Sequence, residues 1–347
     1  MEASHMSIYA SWRTEKSILQ IISRDFDDQE KERWSADERA LEQYAQGGNP
    51  FKDPVDRTKA SSAPFAINVT WVLGYSGRAH ALAMKSLFSS KSGDWLLQYR
   101  TFTAVQFWRS TLDHHVLRFD LSFSHAMESI SDCLYLGWLD KAELLVKEVH
   151  AAYSAKRFRG VTGGYSQTLY HFLLRVCFDW CQFKFDGWGI GYHGEVIDPY
   201  VPGECLGEPV LNELFAHWKD SDLSGMQGEL QWLCDYYTHR TARKDGTEFG
   251  NDLLHTRFPA LVLAWFRLRE SLGLSNPVID HPLMRPHYAW LPPPQPFYTD
   301  DLLDGVIARL RREELPDLGI TPAQVAPRVL PEEPKQGFLA RLLGRKS

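Results

Sequence analysis

The sequence predicts an all-α fold, a multi-helix bundle assembled from αα-hairpins. Three observations carry this reading. Over long stretches apolar residues recur at steps of three and four, the spacing that gathers them on one side of a helix. Strand signals, short alternating runs bounded by turn residues, are few. The 347 residues include 12 Trp, 19 Phe and 14 Tyr, and such rings suit thick helical packing because each buries a large area.

From the N-terminus, Met1 to His5 read as an expression-tag remnant, with Met6 as the natural start. Residues Ser7 to Arg13 lack a positive stretch leading into an apolar one. No run of about 18 apolar residues follows anywhere. The cytoplasm is the expected compartment. Helices are then expected at Val69 to Phe88 and Trp95 to Trp108.

After Asp120 the positions Phe123, Ala126, Met127, Ile130, Cys133 and Leu134 form one stripe, which Gly137 ends. Ala142, Leu145, Val146, Val149 and Tyr153 make the next stripe, so the two predict an αα-hairpin with a very short turn. Past Gly163-Gly164, the stripe Leu169, Phe172, Leu173, Val176, Cys177 and Trp180 has apolar flanks as well, as expected of a central helix. Further helices are expected at Leu211 to Trp218, Glu229 to His239, Pro259 to Leu272 and Asp300 to Arg311. Pro259 is placed as a first-turn proline, and Asp300-Asp301 as cap and dipole charge.

Two stretches interrupt the pattern. Residues 187–207 are rich in Gly and Pro and read as a connector or small hairpin between an N-terminal helical region, 6–186, and a C-terminal one, 208–315. Asn276 to Pro296 is dense in proline and is expected to run extended over the surface. Residues 316–347 read as a loosely held tail ending in a basic segment.

Composition narrows the function. Hydrophobic residues at 44% and charged residues at 24% exclude wholesale disorder and a fibrous repeat. The five cysteines, Cys133, Cys177, Cys181, Cys205 and Cys234, are odd in number and scattered, against a secreted disulfide framework. Cys133, Cys177 and Cys234 fall on apolar stripes and read as small core residues. Cys177 and Cys181 lie one turn apart without the further ligands that a zinc site needs. The net charge of −6 disfavours nucleic acid as a direct ligand and is compatible with a basic protein partner.

Apparent motifs fail on context. Gly189-Ile190-Gly191-Tyr192-His193-Gly194 matches the dinucleotide pattern, yet a helix precedes it and no helix can start after it to face a pyrophosphate. Gly74-Tyr75-Ser76-Gly77 falls short of a nucleophile elbow and lies within a helical segment. The densest titratable cluster is Asp113, His114, His115, Asp120, His125, Glu128 and Asp132. Within it, His125, Glu128 and Asp132 share one helix face at a spacing suited to surface hydrogen bonding, or to a metal or acid/base pair. Helical metal sites take such sets from several helices, and no second helix offers one. No cofactor and no metal are expected. Two acidic runs remain, Asp25, Asp27, Asp28 and Glu30, then Asp220, Asp222 and Glu229. Each reads as a solvated face or as the patch that meets a basic partner.

Ala126 to Ile130 and Leu136-Gly137-Trp138-Leu139-Asp140-Lys141-Ala142 resemble the N-terminal helical part of two-part bacterial immunity proteins, those encoded beside polymorphic or type VI secretion nuclease toxins. Trp232 to Arg240, Phe249 and Phe258 to Trp265 resemble the aromatic-rich helix pair of that family's C-terminal part. The proline-rich 276–296 stretch and the tail depart from the family pattern. The resemblance implies an all-α protein that binds its cognate toxin and occludes the active site without chemistry of its own. It further implies no contact with nucleic acid or membrane, and a second copy of the chain is admitted as a partner. Two other classes stay open: a helical adaptor or effector-loading scaffold of tetratricopeptide type, and a metal-dependent helical enzyme using His125, Glu128 and Asp132.

Overall fold

The computed structural model describes residues 12–25, 28–51, 64–75, 77–89, 95–117, 121–155, 157–159, 168–183, 209–241 and 253–320. The readings made on 187–207, on the glycine pattern within it, on Gly163-Gly164, Ser76, Asp120, Cys205, Phe249 and most of the tail lie outside these residues.

Among the described residues the fold is all-α. The helices are α1 (Glu15–Asp25), α2 (Asp28–Ala45), α3 (Pro64–Tyr75), α4 (Gly77–Phe88), α5 (Trp95–Val116), α6 (Phe123–Tyr135), α7 (Leu139–Ser154), α8 (Thr168–Trp180), α9 (Pro209–Ala216), α10 (Gln227–Thr241), α11 (Ala260–Ser271) and α12 (Asp301–Glu313). The extended structure consists of a two-residue parallel pair, β1 (Leu121–Ser122) with β2 (Phe158–Arg159), in the register Leu121 to Phe158.

Helix α6 is the hub. It packs on α5, α7, α8 and α11, because almost every residue from Ala126 to Tyr135 is apolar or small and buried. Ser122 caps its N-terminus by accepting from the His125 amide. Gly137 closes it at φ +77°, a left-handed conformation in which a Cβ would come within 2.9 Å of Pro294. That glycine therefore makes both the short turn into α7 and the close approach of the proline-rich segment. The expected αα-hairpin is α6–α7.

The expected central helix is α8, buried from Thr168 through Leu174 and again from Val176 to Phe178. It supports α11, whose residues Ala260 to Arg269 are all buried. The contact between α6 and α11 joins the regions on either side of 187–207 into one continuous core. Trp12 strengthens that junction: its indole N–H donates to the Thr256 carbonyl at 2.9 Å, and the Arg257 guanidinium lies 3.8 Å over its ring.

Several boundaries differ from the sequence reading. Val69 to Phe88 is two helices, α3 and α4, and α3 starts earlier, at Pro64. The Glu314 carboxylate explains that start, since it accepts from the Phe65 and Ala66 amides at 3.1 Å each, from 248 residues or more away. Helix α5 runs on to Val116, eight residues past Trp108. Pro259 is the N-cap of α11 and not its first helical residue. Helices α1 and α2 were not expected from the sequence, although Ile18, Leu19 and Ile22 of α1 recur at helical spacing. They form because α1 buries Ile18 and Ile22 and α2 buries Trp34, Leu41 and Tyr44.

The 276–296 stretch is irregular, with one 3-10 turn at Pro282–Met284 and a further turn at 287–288 where the Ala289 amide donates to the Pro286 carbonyl at 2.9 Å. It crosses the α6–α7 turn, where Gln295 donates its amide to Leu136 and accepts the Trp138 indole N–H at 2.8 Å. It is more than a surface wrap: Leu283 and Tyr288 are completely buried. Asp300 caps α12 as expected, accepting from the Leu303 amide at 2.8 Å.

Candidate functional site, an acidic surface between two helices

The carboxylates that the structure brings together lie where α9 gives way to α10. Helix α9 sits on α8 through buried Leu211 and Leu214, which turns its polar residues outward. Trp218, 2% exposed, anchors the exit of α9, its indole donating to Asp179 at 2.8 Å. Arg269 then fixes the path of the following loop. Its buried guanidinium donates to the carbonyls of Trp218 at 2.5 Å, Asp220 at 2.9 Å and Ser275 at 2.6 Å. The guanidinium reaches all three carbonyls through Nη1 and Nη2 of its rigid planar fork.

On this frame the side chains converge. His217 Nδ1 is 2.7 Å from Asp220 Oδ2, and His217 Nε2 is 4.0 Å from Glu213 Oε2. The Asp220 hydrogen bond, followed by the charges of Asp220, Glu213 and Glu229, raises the His217 pKa above its ordinary value. Asp222 accepts from the amide and hydroxyl of Ser224 at 2.8 Å each, which holds its carboxyl below the usual range and shapes the entry to α10. Lys219 turns away to Asp179 at 2.6 Å. The result is a preorganised negative surface made of Glu213, Asp220, Asp222 and Glu229.

Of the residues picked from sequence, Asp220, Asp222 and Glu229 thus share one surface. Glu213 and His217 were missed, because a single Glu and a single His in a helix carry no pattern until the loop folds back. In the other acidic run Asp25 ends α1, while Asp28 and Glu30 open α2; Asp27 lies outside the described residues. That run belongs to the α1–α2 side, which packs on α3, α4 and α12, and not to the α9–α10 surface carried by α8.

The titratable cluster near α6 disperses. The Asp132 carboxylate enters the core, where its Oδ1 accepts from the Tyr99 hydroxyl at 2.6 Å and meets His255 Nε2 at 2.8 Å. Asp132 and His255 are each 1% exposed. Glu128 accepts from the Tyr170 hydroxyl at 3.2 Å, and His125 is exposed. The three residues face different partners, and among the described residues no group of three or more His, Cys, Asp or Glu is placed to hold a metal ion. Around Asp132 the rings of Tyr99, Tyr135 and Phe258 meet edge to face at 4.9 to 5.4 Å, closing the polar node from water. His255 had no sequence signal.

At the end of α5, His115 lies 3.7 Å from Glu148 of α7. Burial pushes the Glu148 carboxyl well up and raises Asp113 to about 6, while burial, with Arg157 and His115, lowers His114 to about 3. Arg157 donates to the carbonyls of His114 and Leu117. These groups pin β2 to α5, inside the protein.

The cysteines behave as core residues: Cys133, Cys177 and Cys234 are fully buried, and these three with Cys181 are free thiols. Among the described residues no helix is long and apolar enough to cross a membrane.

Fold and site together define, among the described residues, an all-α protein that presents an acidic surface between α9 and α10. Compared with known protein families, curated proteins and solved structures, the chain matches none.

Proposed function

We propose that this protein is an immunity-type binding protein, which neutralises a basic secreted toxin of the nuclease kind by covering its active site, in the cytoplasm and without chemistry of its own. The observation that carries the reading is the convergence of Glu213, Asp220 and Glu229 around His217 on a loop held by Arg269. A nuclease surface must be basic to hold phosphates. A fixed array of carboxylates is its electrostatic complement, speeding encounter and selecting the partner. Prior fixation by Arg269 also lowers the ordering cost of binding. The buried ionisable groups, Asp132, His255 and Glu148, are enclosed by the core, which favours a structural use of them over a catalytic one.

The test is co-expression with the toxin encoded beside this gene, followed by stopped-flow association. The reading expects survival, a stable complex and an association rate that falls steeply with salt. Combined Glu213→Lys, Asp220→Lys and Glu229→Lys replacement slows association at least about tenfold, while the corresponding changes in the exposed Arg78–Glu38 pair do not. Cell death with no complex overturns the reading. A complex insensitive to the triple replacement removes the acidic surface from it.

A further inference from the structure

A cleft between α2, α3, α4, α5 and α12, partly open to solvent, holds a volume of about 140 Å³. Its wall is apolar, formed by Trp34, Leu41, Leu73, Val105, Leu303 and Val306, all but Val105 nearly or fully buried. The polar groups on the wall are spent inside the protein. Thr101 donates to the Leu97 carbonyl at 3.1 Å, Tyr298 donates to Asp300 at 2.8 Å, and Asp300 in turn caps α12. The two long charged side chains at the cleft, Arg78 and Glu38, are 57% and 49% exposed and pair with each other at 3.1 Å.

We infer that this cavity is a binding site for a small uncharged aromatic molecule of about one ring. Volume and chemistry both select that occupant. An apolar cavity of about 150 Å³ stays dry and takes up benzene, since a water inside would lack polar partners. This wall is likewise mostly apolar, so a ligand with a charge or several hydrogen-bonding groups would be stripped of water with little repayment. The Arg78–Glu38 pair at the mouth is neutral as a unit and gives no net attraction to either sign of charge. An aromatic ring gains from edge contact with Trp34 and from the apolar wall it covers. The inference stands apart from the acidic surface of α9–α10 and does not depend on a protein partner.

Toluene is the probe, followed by titration calorimetry and saturation-transfer NMR on the full chain, with benzoate and benzylamine as charged counterparts. Saturable one-to-one binding of toluene, at least about tenfold tighter than either charged ring, is expected. Ala79→Leu fills the cleft from a partly buried position on its α4 wall, and is expected to weaken toluene at least about tenfold, with an unchanged unfolding midpoint showing that the fold is kept. Glu38→Gln frees Arg78 and leaves the core untouched; benzoate affinity is expected to rise at least about threefold while toluene is unchanged. Absence of toluene binding, equal binding to Ala79→Leu, or a preference of the unmodified protein for benzoate overturns the inference.

Discussion

Replacing Asp132 by Ala tests the buried node that ties α5, α6 and the segment before α11 together. One carboxylate oxygen serves two partners there, the Tyr99 hydroxyl at 2.6 Å and His255 Nε2 at 2.8 Å, in a place that is 1% exposed. Breaking a buried, hydrogen-bonded pair of this kind by removing one member costs about 3–5 kcal/mol, because the other member keeps its desolvation penalty. That is a fifth or more of the stability of a typical domain, about 5–15 kcal/mol. With an m of about 3 kcal/mol/M, the urea midpoint is expected to fall by about 1–1.7 M at unchanged slope. Tyr99→Phe removes a single donor and should cost about 1–2 kcal/mol. The double variant should lose less than the sum of the two, with a coupling of at least about 0.5 kcal/mol. A loss below about 1 kcal/mol for Asp132→Ala, or strict additivity with Tyr99→Phe, would refute the claim that this node holds the two regions together.

Three other outcomes are expected. Arg269→Met leaves the carbonyls of Trp218, Asp220 and Ser275 without their shared donor, so stability falls by about 2–4 kcal/mol and hydrogen exchange rises at Trp218 to Ser224; Arg269→Lys restores only part. Gly137→Ala combines a φ of +77° with a Cβ 2.9 Å from the Pro294 backbone, and calorimetry should show a loss of about 2–3 kcal/mol. In the α5 cluster the signs oppose. Asp113, raised from 3.8 to about 6, binds its proton more tightly when folded, so its contribution is present below about pH 4 and is lost as pH rises through 6. His114, lowered from 6.5 to about 3, contributes above pH 6.5 and loses that contribution as pH falls toward 3. Asp113→Asn should therefore gain stability relative to the unmodified protein between pH 4 and 7. His114→Gln should flatten the acid limb of the unfolding curve instead.

Local pattern made much of this protein legible. Periodicity located α6, α7 and α8 to within about a turn, because their apolar positions repeat at helical spacing and Gly137, which ends α6, adjoins the stripe. Asp300 was readable as the cap of α12 for the same reason. Net charge was compatible with a basic partner, and three of the four carboxylates of the α9–α10 surface could be picked from the run Asp220 to Glu229. Helix α1 was overlooked although Ile18, Leu19 and Ile22 recur at helical spacing, whereas in α2 charged residues separate Trp34, Leu41 and Tyr44, whose burial against α3 and α12 only the fold reveals.

What the sequence by itself determined is the class: helices, their order, and an acidic surface without a recognisable catalytic pattern, all set by short-range spacing and composition. Tertiary structure decided which groups meet. Glu314 starts α3 from the far end of the chain, Asp132 leaves its own helix face for Tyr99 and His255, and Arg269 draws Asp220 toward Glu213 and Glu229 around His217. Each of these depends on a partner 30 to 250 residues distant, and pairing at that range is selected by the packing of the whole core, where an unmet buried polar group is too costly to keep.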